Sequence, residues 1–358
     1  MTKAYLYPIS ARFAKDHYNP YLDDFMNSLE GNFIFLNRNF PSGSGLLDIL
    51  KYVGRIRYVF FHWPENISEK KFGLIQSLLL FLLIPVFKIK RIKIVYVVHN
   101  KISHTKNKYT LKKLISKTLI RNSFIIITHS QDGIKFINSL VKKKNNIFFF
   151  PHPVTDERPF QEHEKEIDVL IWGNIAPYKG VHRFISQMKN NEDCLRWKVV
   201  IAGKVSTVDY YKELLSDKPE NVRIIDEFID DLQLKALINK SKIVLFPYHS
   251  DTVLSSGAFA KSFVYPVEII GPKCGSFNDF NHMEHVAVFE NENEMIELIR
   301  SRLLSFNNGK TNFFFDEIID KYSWQKFGEE FISEYFNINN SLNPDKVIDT
   351  TSPDTRLK

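Results

Sequence analysis

The chain has 358 residues, with 48 lysines and arginines against 41 aspartates and glutamates, and a formal net charge of +7 at pH 7. Hydrophobic residues make up 44% and charged residues 25%, which is typical of folded domains and excludes a disordered chain. Only two cysteines are present, Cys194 and Cys274, which excludes a disulfide framework and a cysteine metal cage and is typical of a reducing cytoplasm. The first residues lack the apolar run of a signal peptide, so we expect no secretory signal.

The charge is divided unevenly along the chain. Residues 1–150 carry a net charge of +16, whereas residues 151–358 carry −9. Such a division indicates an anionic partner for the first half. A nucleic acid, an anionic membrane surface and phosphorylated small molecules all satisfy this condition.

Short apolar runs alternate with longer helical stretches through both halves. Continuous apolar runs that do not alternate with polar residues are typical of parallel strands buried on both faces. Helices between such strands indicate βαβ units, so we expect an α/β protein with two doubly wound, Rossmann-like domains facing a cleft. The predicted strands are Ala4–Ile9, Asn32–Leu36, Tyr58–His62, Ile92–Val98, Phe124–Thr128, Ile147–Phe150, Ile167–Trp172, Trp197–Ala202, Val222–Ile225, Ile243–Phe246, Val267–Ile270 and Val286–Phe289.

The two predicted domains comprise residues 1–150 and 155–321, with a proline-rich linker at Pro151–Phe160. The polar tail 339–358 has the composition of a disordered segment. Ligands of doubly wound sheets bind at the carboxyl ends of the strands, so the residues that follow each strand are the first candidates for a site.

Two segments of the second half could hold phosphate. The predicted strand Ile167–Trp172 is followed by Gly173, Asn174 and a loop with Tyr178 and Lys179, just before a helix. A lysine beside free helix N–H groups can cradle phosphate, although a plain turn with a solvated lysine explains the same residues equally well.

The second of these segments has Ser255, Ser256 and Gly257 at the start of a helix. Serine caps helices and glycine allows a ligand close to the backbone, so a further phosphate oxygen could bind there. An ordinary serine-capped helix is the simpler interpretation when the loop is considered alone.

The strand ends of the first half carry histidines and aromatic residues instead. A lone histidine is more often structural than catalytic, but several of them at one cleft indicate hydrogen bonding or general base catalysis. Their spacing is not that of a metal site, and we expect no bound metal. The segments contain Asp16 and His17, His62 and Trp63, His99, Asn100 and His104, and His129.

Taken together, these segments resemble GT-B glycosyltransferases, in the broad group of family 4 enzymes that build bacterial polysaccharides. GNIAPYKG resembles the donor-phosphate loop of that group, and LFPYHSDTVLSSGAFAKSFVYPV resembles the segment that holds the donor's diphosphate and sugar. HWPE and VVHNKISH resemble strand-end signatures of a polysaccharide-building subgroup, and KYSWQKFGEEFISEYF resembles the C-terminal helix that crosses back to the first domain, about residues 322–336.

The resemblance implies sugar transfer from a nucleotide-sugar, a UDP- or GDP-sugar, held by the second domain, to an acceptor held by the first. Lys179 would then neutralise the diphosphate, and Ser255, Ser256 and Gly257 would bind it through hydroxyl and N–H groups. Gly173, Asn174 and Tyr178 belong to the same donor-binding set, while Phe228 and Ile229 would pack near the base. The acceptor side would comprise His62, Trp63, Asn100 and His104, and no cofactor or metal is expected.

The sequence departs from the group in one respect. Many retaining members have a pair of glutamates near the donor sugar, and alignment on Pro266 places Asp251 and Phe259 at those two positions. An inverting mechanism therefore remains open, and it requires a general base on the acceptor hydroxyl. The candidates for that base are His17, Asp16 and His99.

Residues 70–93 contain a mostly apolar run, interrupted by Pro85 and flanked by lysines and an arginine. A membrane-spanning helix needs about 20 apolar residues, so we expect no span. A helix buried against the sheet and a helix in the membrane interface both fit the run.

The excess of basic residues in the first half favours docking to an anionic leaflet on the inner face of the cell membrane, where a lipid-linked saccharide acceptor would lie. Nucleic-acid binding is the alternative partner, but no helix-turn-helix, zinc or oligonucleotide-binding motif is present. A non-catalytic relative that binds a nucleotide-sugar or a partner protein is the alternative function.

Overall fold

The structure is a computed structural model that describes residues 1–9, 20–40, 43–101, 109–142, 145–158, 160, 164–250, 253–306 and 315–342, with side chains up to residue 338. Those residues form twelve strands and twelve α-helices, and the strands make two separate parallel sheets. All twelve strands overlap the apolar runs predicted from the sequence. The prediction of an α/β protein with two Rossmann-like domains is therefore confirmed.

The first sheet belongs to the first half of the chain. Its strands alternate with helices, as expected of βαβ units. In chain order its elements are β1 (Thr2–Tyr7), α1 (Pro20–Ser28), β2 (Phe33–Phe35), β3 (Tyr58–His62), α2 (Gly73–Ile89), β4 (Lys93–Val98), α3 (Tyr109–Asn122), β5 (Ile125–Thr128), α4 (Gln131–Leu140) and β6 (Ile147–Phe149).

The second sheet follows with the same alternation. Its elements are β7 (Ile167–Trp172), α5 (Val181–Lys189), β8 (Val199–Ala202), α6 (Val208–Asp217), β9 (Val222–Ile225), α7 (Asp231–Asn239), β10 (Ser241–Leu245), α8 (Gly257–Phe263), β11 (Glu268–Pro272), α9 (Gly275–Asp279), β12 (Val286–Phe289) and α10 (Glu292–Ser305). Two further helices, α11 (Phe315–Tyr322) and α12 (Trp324–Leu342), complete the chain.

The strand order locates the crevice of each sheet. The first sheet has the order β2-β1-β3-β4-β5-β6 and the second β12-β11-β10-β7-β8-β9, with every pair parallel. The order reverses between β1 and β3 in the first sheet, and between β7 and β10 in the second. Because ligands of such sheets bind beside the reversal, the residues after these four strands are the ones placed to form a site.

The carboxyl ends of the two sheets meet. Asn100, directly after β4, forms an antiparallel bridge with Val253, which lies between β10 and α8. The hydroxyl of Ser255 lies 3.4 Å from the backbone oxygen of His99. The strand-end loops of both halves therefore face one shared cleft.

The C-terminal helix packs on the first half of the chain. Phe327 and Phe331 of α12 are fully buried with Phe25 and Phe60 in one hydrophobic core cluster. Gly328 approaches α1 so closely that a Cβ there would lie 2.0 Å from the backbone oxygen of Ser28. The helix continues to Leu342, beyond the predicted end near 336.

Candidate donor and acceptor site

The loop after β7 is shaped by two glycines with left-handed backbones. Gly173 has a φ of +107° and Gly180 a φ of +72°, a region that favours glycine. A Cβ on Gly180 would lie 1.9 Å from the backbone oxygen of Pro247, which follows β10. The loops after β7 and β10, on either side of the strand-order reversal, are therefore in direct backbone contact.

Lys179 lies at the end of the short turn Pro177–Lys179 between these glycines. Its Nζ is 5.0 Å from the centre of the Tyr248 ring, and a Cβ on Gly173 would be 3.4 Å from it. Burial alone would lower the pKa of Lys179, but the facing Tyr248 and Tyr178 raise it. An ammonium group is thus held over the bare backbone of Gly173, where an anion can approach.

The backbone beside this ammonium group belongs to the start of α8. Ser256 is the N-cap of α8, and its Oγ accepts a hydrogen bond from the backbone N–H of Phe259 at 3.2 Å. Gly257 is exposed, and a Cβ on Gly173 would lie 3.9 Å from the Cβ of Ala258. The start of α8 and the Lys179 loop therefore form adjacent walls of the cleft.

A cluster of aromatic and imidazole rings faces these walls from the first half, with Tyr21 of α1 at its centre. The ring of Tyr21 makes edge contacts with six rings, at centroid separations between 4.9 and 5.9 Å. The six belong to His62, Trp63, His99, His129, His152 and Trp324. We call these seven residues the Tyr21 cluster.

The imidazoles of the Tyr21 cluster are held neutral. Burial lowers the pKa of His62 and of His99 well below the usual value, and lowers the pKa of His129 to about 3 and that of His152 to about 4. Neutral imidazole has one nitrogen that donates a hydrogen bond and one that accepts. At neutral pH the cluster therefore carries hydrogen-bond donors and acceptors rather than positive charge.

His99, a candidate general base, lies between two ring systems. Its Nε2 is 3.1 Å from His62 Nδ1, and its ring stacks on Trp63 with centroids 4.2 Å apart. The backbone of Trp63 is left-handed, with a φ of +48°, which is uncommon outside glycine and is found at functional sites. His62, Trp63 and His99 thus form one packed unit at the ends of β3 and β4.

The other predicted site residues have different surroundings. Asn174 is exposed, and Phe228 is 58% exposed beyond β9, while Ile229 packs at the edge of the second core. Phe259, which occupies one position of the missing glutamate pair, is buried against Phe246 and Phe277. His17, Asp16 and His104 lie outside the described residues, as does Asp251.

Four members of the Tyr21 cluster were not in the predicted site: Tyr21, His129, His152 and Trp324, although His129 belongs to one of the histidine-bearing strand ends. The rule that the residues following a strand face the cleft would have included His152, which comes three residues after β6. Trp324 belongs to the helix that crosses between the halves, and no local pattern indicates its position. Within the described part of the chain, no group of three or more histidine, cysteine, aspartate or glutamate side chains could hold a metal ion.

The chain was compared with known proteins. Residues 154–259, from the linker to the start of α8, match the family model "Glycosyl transferases group 1". This segment includes Lys179, Ser255, Ser256 and Gly257. No curated protein sequence matches the chain.

Solved structures match over almost the whole length. HepE of Anabaena, solved in complex with UDP and glucose, superposes with a TM-score of 0.70 at 12% identity, covering 94% of this chain and 100% of that one. AviGT4, a glycosyltransferase involved in avilamycin A biosynthesis, gives a TM-score of 0.59 at 13% identity and covers 95% and 99%. Sucrose-phosphate synthase from Thermosynechococcus elongatus gives 0.63 at 10% identity and covers 84% and 81%. The fold is that of the GT-B glycosyltransferases.

Proposed function

We propose that this glycosyltransferase, which has the GT-B fold and a group 1 domain over residues 154–259, transfers a sugar from a UDP- or GDP-sugar to a lipid-linked saccharide. We place that reaction in the assembly of a surface polysaccharide such as exopolysaccharide, capsule or O-antigen, at the inner face of the cell membrane. UDP-sugars are the first donors to test, because HepE of Anabaena was solved with UDP and with UDP-glucose.

The observation that carries the donor proposal is the position of Lys179 beside the strand-order reversal of the second sheet. Its ammonium group lies over Gly173 and next to the backbone at the start of α8. In sugar transfer, negative charge develops on the departing nucleoside diphosphate as its bond to the sugar breaks. A fixed cation and backbone N–H groups stabilise that charge, which lowers the barrier to transfer.

The test is the release of nucleoside diphosphate from UDP- and GDP-sugars, measured with and without lipid-linked acceptor. Lys179→Ala should weaken donor binding by about ten- to a hundredfold and lower turnover further, because a hydrogen bond to a charged group is lost. Lys240→Ala is the matched control, since Lys240 is a partly exposed lysine at the amino end of β10, away from the cleft, and pairs with Glu166 at 3.2 Å. Activity of Lys179→Ala within a few-fold of the unchanged protein would overturn the donor-site assignment.

The same measurements separate the alternatives. Nucleotide-sugar affinity without turnover on any acceptor would indicate a non-catalytic binding protein. Salt-dependent retention on DNA that Lys179→Ala leaves unchanged would indicate a nucleic-acid-binding protein instead.

The proposed membrane contact rests on helix α2. Five of its apolar side chains, together with Phe72 just before it, are between 59% and 82% exposed. They are Leu74, Ile75, Leu78, Leu82 and Ile89.

The uncharged polar side chains of α2 face inward instead. Gln76 and Ser77 are buried, where Gln76 accepts from the N–H of Leu46 and donates to the backbone oxygen of Lys71. Four apolar side chains of α2 are also buried in the core, so the helix is apolar on both faces rather than on its inner face alone. An apolar outer face is expected of a helix that is covered on that side by an apolar medium.

Basic residues flank this apolar stripe. Lys70 and Lys71 precede α2, and Lys88, Lys90 and Arg91 lie at its end, all exposed. Cations beside an apolar face match an anionic bilayer, in which the stripe inserts and the cations meet the headgroups. Lys112 of α3 does not extend this basic surface as its sequence position suggests, because it is buried and pairs with Glu69 at 2.6 Å. Among the described helices, none is long and apolar enough to cross a membrane.

Vesicle sedimentation tests the membrane contact independently of activity. The protein should sediment with vesicles that contain phosphatidylglycerol, and less with pure phosphatidylcholine or at high salt. Leu78→Glu should release it, because a carboxylate would then face the hydrocarbon. Leu304→Glu, at an 82% exposed position of α10 in the second half, is the matched control and should sediment unchanged. Equal sedimentation of the two variants would contradict a contact through α2.

A further inference from the structure

His152 lies in the linker between the two sheets and reaches the donor side of the cleft. It follows β6, yet a Cβ built on Gly257 of α8 would lie 3.6 Å from its Nε2 and meet no other heavy atom of a described residue within 4 Å. The imidazole edge therefore lies directly opposite the exposed backbone at the start of α8, within van der Waals reach of a side chain there. No function for His152 follows from the sequence patterns above.

The hydrogen-bond partners of His152 decide which nitrogen carries its proton. Nδ1 lies 2.9 Å from the backbone oxygen of Pro153. A carbonyl oxygen can only accept, so Nδ1 carries the proton and Nε2 has the free lone pair. Among the described residues, none forms a hydrogen bond with this Nε2. The cleft is thus presented with a hydrogen-bond acceptor rather than a donor or a cation.

The Tyr21 cluster holds the ring of His152 in this orientation. The ring makes contacts with Tyr21, His129 and Trp324, at centroid separations of 5.3, 5.4 and 6.3 Å. The corresponding acceptor of His129 is already engaged, because its Nδ1 donates to the backbone oxygen of Phe150 and its Nε2 accepts from the Tyr21 hydroxyl at 2.7 Å. His62 and His99 are at most 6% exposed, whereas His152 is partly exposed, so the acceptor of His152 is the one that the cleft can reach.

The cation and the acceptor both lie beside the backbone at the start of α8. Lys179 Nζ lies over Gly173, Gly173 lies beside Ala258, and the neighbouring Gly257 faces His152 Nε2. A lone pair repels the oxygens of a diphosphate and attracts a hydroxyl group. Lys179 and His152, at the two ends of this series of contacts, therefore match the two parts of a nucleotide-sugar. The diphosphate would lie at Lys179 and the sugar towards His152.

We propose that His152 Nε2 accepts a hydrogen bond from a hydroxyl group of the donor's sugar and thereby helps to select that sugar. This inference rests on the proposed function, since it needs the diphosphate to lie at Lys179. It assigns the linker a role in specificity, so that sugar binding would draw on the second domain, the linker and the Tyr21 cluster together.

The test compares the affinity for a nucleoside diphosphate with the affinity for the matching nucleotide-sugar. UDP, GDP, UDP-glucose, UDP-galactose, UDP-N-acetylglucosamine and GDP-mannose are titrated by calorimetry against the full chain. For the nucleotide-sugar that binds most tightly, His152→Ala should lose about five- to tenfold in affinity, the effect of one hydrogen bond, while the affinity for the diphosphate stays unchanged. His152→Gln, which keeps an acceptor atom, should recover part of the loss.

The controls separate this inference from the proposed function. Lys179→Ala should weaken diphosphate and nucleotide-sugar alike, and His282→Ala, which removes an exposed histidine after α9, should change neither. Unchanged diphosphate affinity also shows that the His152 variants are folded. An unchanged nucleotide-sugar affinity in His152→Ala would overturn the inference. If that variant then lost turnover alone, His152 would act on the acceptor instead of the donor's sugar. If neither diphosphates nor nucleotide-sugars bind the unchanged protein, the proposed function itself fails.

Discussion

Single glycines decide how closely the donor loops approach each other. Gly180 joins the loops after β7 and β10, and Gly203, after β8, has a φ of +145° with its Cβ position 1.8 Å from the backbone oxygen of Gly173. No side chain fits at either position without moving the neighbouring backbone. Because Gly173 lies under Lys179, a shift of these loops would move the ammonium group relative to the start of α8.

We expect Gly180→Ala to lower both stability and donor affinity. The left-handed φ costs about 1 kcal/mol for a residue with a Cβ, and the clash with the Pro247 oxygen adds to this. Gly31→Ala is the control, because Gly31 has a φ of +91° but nothing within 4 Å of a Cβ. Urea unfolding should show a larger loss for Gly180→Ala than for Gly31→Ala, and only Gly180→Ala should weaken nucleotide-sugar binding. Equal losses would mean that the loop contact is not rigid.

At the scale of one element, α2 shows how burial can oppose sequence pattern. A buried glutamine in an apolar helix suggests that leucine there would strengthen the core. However, Gln76 is the partner of both the Leu46 N–H and the Lys71 backbone oxygen. Gln76→Leu leaves two backbone groups without these partners, and a buried unsatisfied group costs about 1–3 kcal/mol.

Gln76→Leu should therefore be less stable than the unchanged protein in urea unfolding, although it is more hydrophobic. Its neighbour Ile75 is 59% exposed, so Ile75→Gln should leave stability nearly unchanged and weaken sedimentation with anionic vesicles. Gln76→Leu places an apolar residue on the inner face of α2, whereas Ile75→Gln places a polar residue on its outer face. A stabilising Gln76→Leu would show that the two hydrogen bonds contribute little.

The strands could be predicted because their signal is local. Most are short apolar runs, and the central ones are buried on both faces, as in Ile125–Thr128. Such runs are typical of the strands of parallel sheets. The ends of helices were less predictable, since α12 continues to Leu342 through a stretch whose polar composition does not indicate a helix.

The site was only partly predictable for a related reason. Lys179 and Ser256 lie in the loops that follow β7 and β10, so their position is a consequence of topology. The burial of Phe259 and of Lys112 depends on which helix faces which sheet, and the meeting of Tyr21 with Trp324 joins residues from the two ends of the chain. Such contacts depend on tertiary packing that no single stretch of sequence encodes.

At the scale of the whole molecule, two carboxylates join the halves in a reciprocal way. Asp132 of α4 accepts a hydrogen bond from the N–H of Gly275, and Asp279 of α9 accepts one from the N–H of Gln131, both at 2.9 Å. Each helix thus begins against a carboxylate from the other half. These two hydrogen bonds hold the two halves together next to the contact between Asn100 and Val253.

The two carboxylates differ in electrostatic character. Burial and the neighbouring Asp132 raise the pKa of Asp279 to about 6. Burial also opposes ionisation of Asp132, but hydrogen bonds from Gly275 and from Lys135 outweigh it and lower its pKa. Because the folded state raises the pKa of Asp279, the folded protein loses stability as the pH rises towards 6 and this group ionises. Because the folded state lowers the pKa of Asp132, ionised Asp132 stabilises the folded protein above its unfolded pKa.

The two amide substitutions should therefore act with opposite sign at pH 8. Asp279→Asn keeps an acceptor oxygen for Gln131 and removes the charge, so its Tm should rise above that of the unchanged protein at pH 8 and the gain should shrink by pH 5. Asp132→Asn should lower the Tm at pH 8, because the ionised form that Gly275 and Lys135 stabilise is lost. Thermal unfolding of both variants at pH 5 and pH 8 measures this, with Asp217→Asn, an exposed surface pair with Lys189, as the control. A lower Tm for both Asp279→Asn and Asp132→Asn at pH 8 would show that the two carboxylates join the halves in the same way, contrary to their different pKa shifts.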